Sequence, residues 1–244
     1  MAEQVRQKIT SGEFAPGQRL SEQALSHSLG ISRNTLREVF RLLTKEALIR
    51  HEPNRGVFVA VPTLASIIDI YRVRRLIECQ ALAQAYPGHP AEAQMRASVQ
   101  AAQRHRDSAC WPEVGTANMA FHSAVVALAD SERLNAMFTP VLAELRLAFG
   151  LLGNPETLHA PFVGMNQKIL DLTQAGEFGR AAEALGDYLL HSERIVLAVF
   201  ARHGAHAPSV AAGSVAGSVA GSVAGSAAGP ARPAAAAANA HVPR

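Results

Sequence analysis

Two cysteines, Cys79 and Cys110, are all that the 244 residues contain. Both stand in helix-like sequence, so a disulfide framework is excluded and two reduced thiols are expected. No run of about 18 or more consecutive apolar residues occurs, which excludes a membrane-spanning helix and a membrane partner. The opening MAEQVRQKITSGEF is polar and amphipathic and lacks the apolar stretch of a signal peptide. A cytoplasmic protein is the expectation. Nothing in the chain supplies a nucleophile paired with a base, or a full set of metal ligands, so no enzyme is expected. Charge of one sign is scarce too. Residues 1–60 hold nine Lys and Arg against six acids, and the rest of the chain carries fourteen of each. The excess of three at the N-terminal end permits nucleic-acid binding but does not require it.

What is present divides into three regions. Hydrophobic residues make up 48% and charged residues 18%, enough apolar surface for packed cores. Residues 1–63 end in a strand-like pattern and a proline. Residues 64–203 read as consecutive amphipathic helices. Residues 204–244 repeat a four-residue Ala-Gly-Ser-Val unit from Gly213 and then become rich in Ala and Pro. With no aromatic residue to bury, that last region is expected to be a disordered tail. The fold class that follows is mainly α: an N-terminal winged helix-turn-helix, then an all-helical antiparallel bundle.

Residues 1–63 carry the most specific pattern. Val5 and Ile9 share one face of a first helix, and Pro16-Gly17 gives a turn. Ser21 is placed to cap a second helix, with Ala24, Leu25 and Leu29 as its apolar stripe and Gly30 at its left-handed end. Ser32 then caps a third helix, Arg33–Glu46, whose apolar positions are Leu36, Val39, Phe40 and Leu43. Two helices joined by so tight a turn cross steeply, as in a helix-turn-helix. ALIRHE and GVFVAV follow, two β-prone runs around Pro53-Asn54-Arg55-Gly56, which read as a wing hairpin with Arg55 at its tip. Ser32, Arg33, Asn34, Thr35 and Arg37 fall outside the apolar stripe at the start of the third helix. That end of such a helix enters the major groove, where Arg suits guanine, Asn suits adenine and hydroxyls suit phosphate.

The segments GEFAPGQRLSEQALSHSLGISRNTLREVFRLLTKEALI and PNRGVFV resemble the DNA-binding domain of the GntR family. A Pro-Gly-x-x-Leu-Ser-Glu run, a Ser-Arg-x-x-hydrophobic-Arg-Glu run and an Arg-Gly wing recur there in this order. The resemblance implies a homodimer on a short palindromic operator in double-stranded DNA, with Arg33, Arg37 and the Arg55-Gly56 wing tip meeting the duplex.

In the second region, breakers mark helices at about Leu64–Tyr86, Ala91–Asp107, Thr116–Asp130, Ser131–Gly150, Val163–Ala175 and Phe178–Arg202. Leu64–Tyr86 is apolar on more than one face, so Arg74 and Glu78 either project into a cavity or interface or form an intrahelical ion pair. Asn118 and His122 share a face four residues apart, Asn166 begins another helix, and His191 lies midway along the last. Amides and imidazoles in a bundle interior can ligate a metal, although such residues more often sit at a surface or hydrogen-bond internally.

YRVRRLIECQAL, NMAFHSAVVALADSERL, MNQKILDLTQAGEFGRAAEAL and LLHSERI resemble the helical, FCD-type effector domain of the FadR subgroup of that family. Many members hold a divalent metal with one Asp and three His, and an organic acid binds against it. Here the Asp position is Asn118 and one His position is Asn166, so only His122 and His191 match. An amide is a poor ligand for Zn-like ions. No cofactor is expected, and any divalent metal at His122 and His191 is expected to be weak or absent. The resemblance implies instead that Arg74, Asn118, His122, Asn166 and His191 contact a small effector directly, and an Arg beside amides suits a carboxylate. The function expected is a transcription regulator whose operator affinity an effector controls. The competing expectation is an architectural DNA-binding dimer without an effector.

Overall fold

Hydroxyl caps set the geometry of the N-terminal module. In the computed structural model, which describes residues 1–151 and 153–204, the Ser21 side chain accepts from the Ala24 amide at 3.3 Å and opens α2 (Glu22–Leu29). Gly30 ends that helix at φ 64°, a left-handed conformation that costs glycine nothing. Two residues on, Ser32 accepts from the Thr35 amide at 3.1 Å and opens α3 (Arg33–Lys45). Before them α1 (Ala2–Thr10) buries Val5 and Ile9, and Arg6 pairs with Glu46 at the end of α3. The wing is β2 (Ile49–Glu52) against β3 (Gly56–Val59). A strand not expected from the sequence, β1 (Arg19–Leu20), pairs with the other side of β3, giving the antiparallel order β1-β3-β2. Two residues are too short a run to show any period.

The remaining helices are α4 (Leu64–Ala83), α5 (Ala91–Asp107), α6 (Trp111–Ala127), α7 (Glu132–Gly150), α8 (Pro155–Gln174) and α9 (Phe178–Gly204). Two start earlier than the sequence suggests. Helix α6 begins at Trp111 rather than Thr116, because Pro112 sits in its first turn, where no amide bond is required. Gly115 then lies inside the helix. Helix α8 begins eight residues before Val163. Asn154 caps it through the Thr157 amide at 3.2 Å, and Pro155 follows at the first position. Its interior Pro161 forfeits a backbone bond, but Leu158 and Phe162, one turn apart and both buried, keep the segment helical. Helix α4 stops at Ala83, three residues short of Tyr86.

Helix α6 is the centre of the bundle. It packs against α4, α5, α7 and α8, while α9 lies against α4 and α8. The bundle core joins Ile67, Tyr71, Phe121, Val125, Leu145 and Tyr188 among others. The core of the N-terminal module is a separate cluster around Leu36, Phe40, Leu43 and Val59, and it includes Ala143 and Leu147 from α7. Among the described residues no helix is long and apolar enough to cross a membrane. Cys79 is half-buried and Cys110 exposed, and both are free thiols. The tail expected to be disordered lies, from residue 205 on, outside the described residues.

Candidate functional site

The exposed face of α3 follows from what that helix must bury. Leu36, Val39, Phe40 and Leu43 point into the module's core, which turns Ser32, Arg33, Asn34, Thr35 and Arg37 outward, and all five are exposed. They differ in freedom. The Ser32 hydroxyl caps the helix and bonds the Thr35 hydroxyl at 2.9 Å. Arg37 donates through Nε to Glu22 at 3.2 Å, which fixes its direction across the two helices. Arg33 makes no hydrogen bond or ion pair among the described residues, so its fork is available to a base edge.

The wing is more basic than its tip suggests. Asn54, at φ 60°, and Gly56, at φ 109°, form the turn, which the Arg55 amide closes onto the Glu52 carbonyl at 3.0 Å. Register places Arg19 opposite Phe58 and Phe58 opposite Arg50, so the three side chains stand in one row on one sheet face. The Arg50 and Arg55 guanidiniums lie over the Phe58 ring at 5.8 and 5.6 Å. Both also reach Glu52, at 3.0 and 2.6 Å. The Arg19 side chain crosses the tip, with Nε 3.3 Å from the place a Gly56 Cβ would occupy. Sequence reading missed Arg19 and Arg50. The period-2 pattern of β2 held the signal for Arg50; that for Arg19 lay in β1, which the sequence does not announce.

The second cluster sits in the middle of the bundle. Arg74 and Glu78, on the inner face of α4, are 1% and 0% exposed, and His122 of α6 is 0% exposed. Glu78 bridges the other two: Arg74 Nε donates to Oε1 at 2.7 Å, and His122 Nδ1 meets Oε2 at 2.5 Å. Both readings of the Arg74–Glu78 pair therefore apply, an intrahelical ion pair that faces the interior. Asn118 Oδ1 accepts from Asn166 Nδ2 at 2.6 Å and from the Tyr188 hydroxyl at 3.0 Å. The Tyr71 hydroxyl bonds Ser192 at 2.6 Å, and the His122 and Tyr188 rings lie 4.9 Å apart. Burial works to raise the Glu78 pKa, but Arg74 and then His122 outweigh it and hold the carboxylate ionised. Burial, helped by the Arg74 charge, lowers the His122 pKa, so the ring is neutral near pH 7 despite Glu78. Three polar atoms here are buried without a partner: Arg74 Nη2, His122 Nε2 and Asn166 Oδ1.

Four of the five residues expected to meet an effector, Arg74, Asn118, His122 and Asn166, thus converge. His191 does not. It is exposed on α9, its ring 5.8 Å from Phe162, whereas the neighbouring Tyr188 and Ser192 are buried. His191 lies three residues after Tyr188, about 60° round the helix, at the solvent edge of the stripe that Tyr188 and Ser192 bury. Tyr71 and Tyr188 join the cluster although sequence reading did not place them there, and Glu78, expected only to face a cavity or pair with Arg74, bridges to His122. The donor set does not fit a metal. Asn118 Oδ1 is spent on two donors, His122 Nδ1 on Glu78, and His191 stands outside. Among the described residues no three of His, Cys, Asp and Glu come together to hold an ion.

Comparison with known proteins agrees with this architecture. Residues 1–59 match the family described as bacterial regulatory proteins, gntR family, and residues 69–191 match the FCD domain. A solved GntR-type transcriptional regulator from Rhodococcus is 36% identical with a TM-score of 0.77, over 81% of this chain and 95% of that one. An uncharacterized helix-turn-helix transcriptional regulator of Streptomyces ambofaciens is 28% identical over 211 residues, 85% of this chain and 86% of its own length. A Bacillus subtilis regulator is 35% identical over 75 residues, so the chain matches about a third (34%) of that relative's length.

Proposed function

This chain belongs to the gntR family of bacterial regulatory proteins, a DNA-binding transcription regulator with an FCD effector-binding domain and not an enzyme, and from that premise we propose that a small carboxylate seated in the Arg74–Glu78–His122 cluster sets its affinity for a palindromic operator. One observation carries the reading: three polar atoms of one buried cluster, Arg74 Nη2, His122 Nε2 and Asn166 Oδ1, have no partner among the described residues. An architectural dimer has no use for such atoms, which cost free energy while unpaired.

The chemistry of the cluster defines the ligand. Glu78 already neutralises Arg74, so an added carboxylate needs a second positive charge nearby. His122 supplies it. With Nδ1 donating to Glu78, the neutral ring leaves Nε2 bare, and protonation there turns it into a donor toward the ligand. Arg74 Nη2 donates to the other ligand oxygen, and Asn166 Oδ1 accepts from a hydroxyl or water beside it. Binding therefore takes up a proton, and affinity rises as pH falls from 8 toward 6. The protein works in the cytoplasm as a homodimer, whose two-fold axis presents two copies of α3 to two half-sites.

The test is a thermal-shift screen of small carboxylates on the full chain, with operator affinity measured for each hit. The expected outcome is a hit that raises the melting temperature, shifts DNA affinity and loses both effects in Asn166→Leu. Calorimetry in two buffers of different ionisation enthalpy checks the proton uptake. A hit whose effect survives Asn166→Leu unchanged, or no ligand effect on DNA binding, overturns the reading.

A further inference from the structure

We propose a second, separate binding site, for a small oxyanion, at the joint between α1 and the bundle, formed by Arg146 and His159 around Gly115. Arg146 of α7 reaches across the joint. Its Nε donates to the Thr10 carbonyl at the end of α1 at 3.1 Å, and its Nη2 donates to the Pro112 carbonyl in the first turn of α6 at 3.0 Å. Both partners are neutral, and Nη1 makes no bond among the described residues. Among the described residues no acid forms an ion pair with this half-buried guanidinium; the carboxylate that bears on it is Glu113, itself exposed. A half-buried cation held only by neutral carbonyls has room for an anion.

The second donor faces it. His159 of α8 is 2% exposed and packs edge-on against Phe149, with Nε2 buried and without a partner. Gly115 shows that the two groups converge. A Cβ built there would lie 2.5 Å from Arg146 Nη1 and 2.6 Å from His159 Nε2, so only the missing side chain lets both nitrogens approach that spot. A cavity of about 220 Å³ opens beside them, lined by Thr10, Pro112, Phe149 and Pro155 as well as Arg146 and His159, and by no carboxylate. One oxygen of a carboxylate or phosphate can take Arg146 Nη1 while the other accepts from His159 Nε2. The bound anion also reverses the local electrostatics. Burial, and then the Arg146 charge, hold His159 neutral with a pKa of about 4, and a negative charge between the two raises it. Since the same guanidinium grips α1, occupancy reaches the first helix of the DNA-reading module. The site shares no residue with the Asn118–Asn166 cluster.

Titration of the full-length protein with sodium acetate or inorganic phosphate, against chloride at constant ionic strength, tests this by NMR of the histidine ring protons. The His159 resonance is assigned by its loss in His159→Gln. A saturable shift toward the imidazolium position is expected, with the His159 pKa raised by about one unit or more. Gly115→Ala fills the meeting point and Arg146→Lys keeps the charge but removes the fork; each should weaken binding by about tenfold or more. Circular dichroism selects whichever variant folds. Asn166→Ala should leave the titration unchanged. Response to acetate alone identifies a carboxylate site, and to phosphate alone a phosphate site. Flat titrations with both anions to about 50 mM, or a folded variant that titrates like the parent, overturn the proposal.

Discussion

At the scale of single residues, two histidines are buried where their charged forms are disfavoured, and this makes stability depend on acid. The unfolded chain protonates His159 near pH 6.5, whereas the folded chain resists until about pH 4. The contribution is complete above pH 6.5 and lost as pH falls through that window, roughly 3 kcal/mol for His159 alone. His122 is shifted in the same direction, and Glu78, also depressed, adds loss below the ordinary carboxylate range. Urea unfolding at pH 7 and pH 4.5 should show the fall, and His159→Gln should flatten it; equal slopes in variant and parent would remove His159 as a cause. Glu78 also illustrates the asymmetry of buried ion pairs. Glu78→Gln strands Arg74 and should cost about 3–5 kcal/mol, while replacing both by apolar residues of similar size should recover most of it. On the outer face, Arg33→Ala should cost roughly 1–3 kcal/mol of operator binding and relax preference at one base pair. Arg55→Ala should weaken all sequences evenly. Gel shifts against point-mutated operators distinguish the two patterns, and an unchanged affinity in Arg33→Ala/Arg37→Ala would reassign the recognition helix.

Elements show what a one-dimensional reading can and cannot reach. The caps at Ser21 and Ser32 and the left-handed Gly30 were legible because each acts within four residues of itself. Gly30→Ala should lower stability by about 1–2 kcal/mol, since a Cβ strains the left-handed conformation although nothing crowds it. A thermal melt unchanged by that substitution would mean the helix end relaxes without cost. The starts of α6 and α8 were hidden because Pro112 and Pro155, read as breakers, stand at first-turn positions that suit proline, and because the interior Gly115 and Pro161 are kept helical by tertiary neighbours. Strand β1 was hidden for the same reason, as its two residues pair with β3 nearly forty positions away. In the interior site, Arg74, Asn118, His122 and Asn166 were legible through helical spacing and likeness to relatives. Glu78 as the bridging group and Tyr188 as a donor were not, because their roles depend on which face of α4 and α9 meets α6.

For the whole molecule, the decisive feature is that Ala143 and Leu147 of α7 belong to the core of the N-terminal module, packed with Val5, Ile9 and Leu43. The described residues accordingly fall within one compact unit. Calorimetry should give a single unfolding transition in which the module and bundle melt together, and Leu147→Ala should destabilise both by about 2–5 kcal/mol. Two separated transitions would contradict this. The shared core also limits how freely such a module can be transplanted. A chimera that joins residues 1–63 to an unrelated bundle leaves Val5 and Ile9 facing water unless the recipient offers its own small and large apolar pair, one helical turn apart, at the position of Ala143 and Leu147. Portability of the DNA-reading half is thus decided by two side chains that lie far along the chain beyond its last strand.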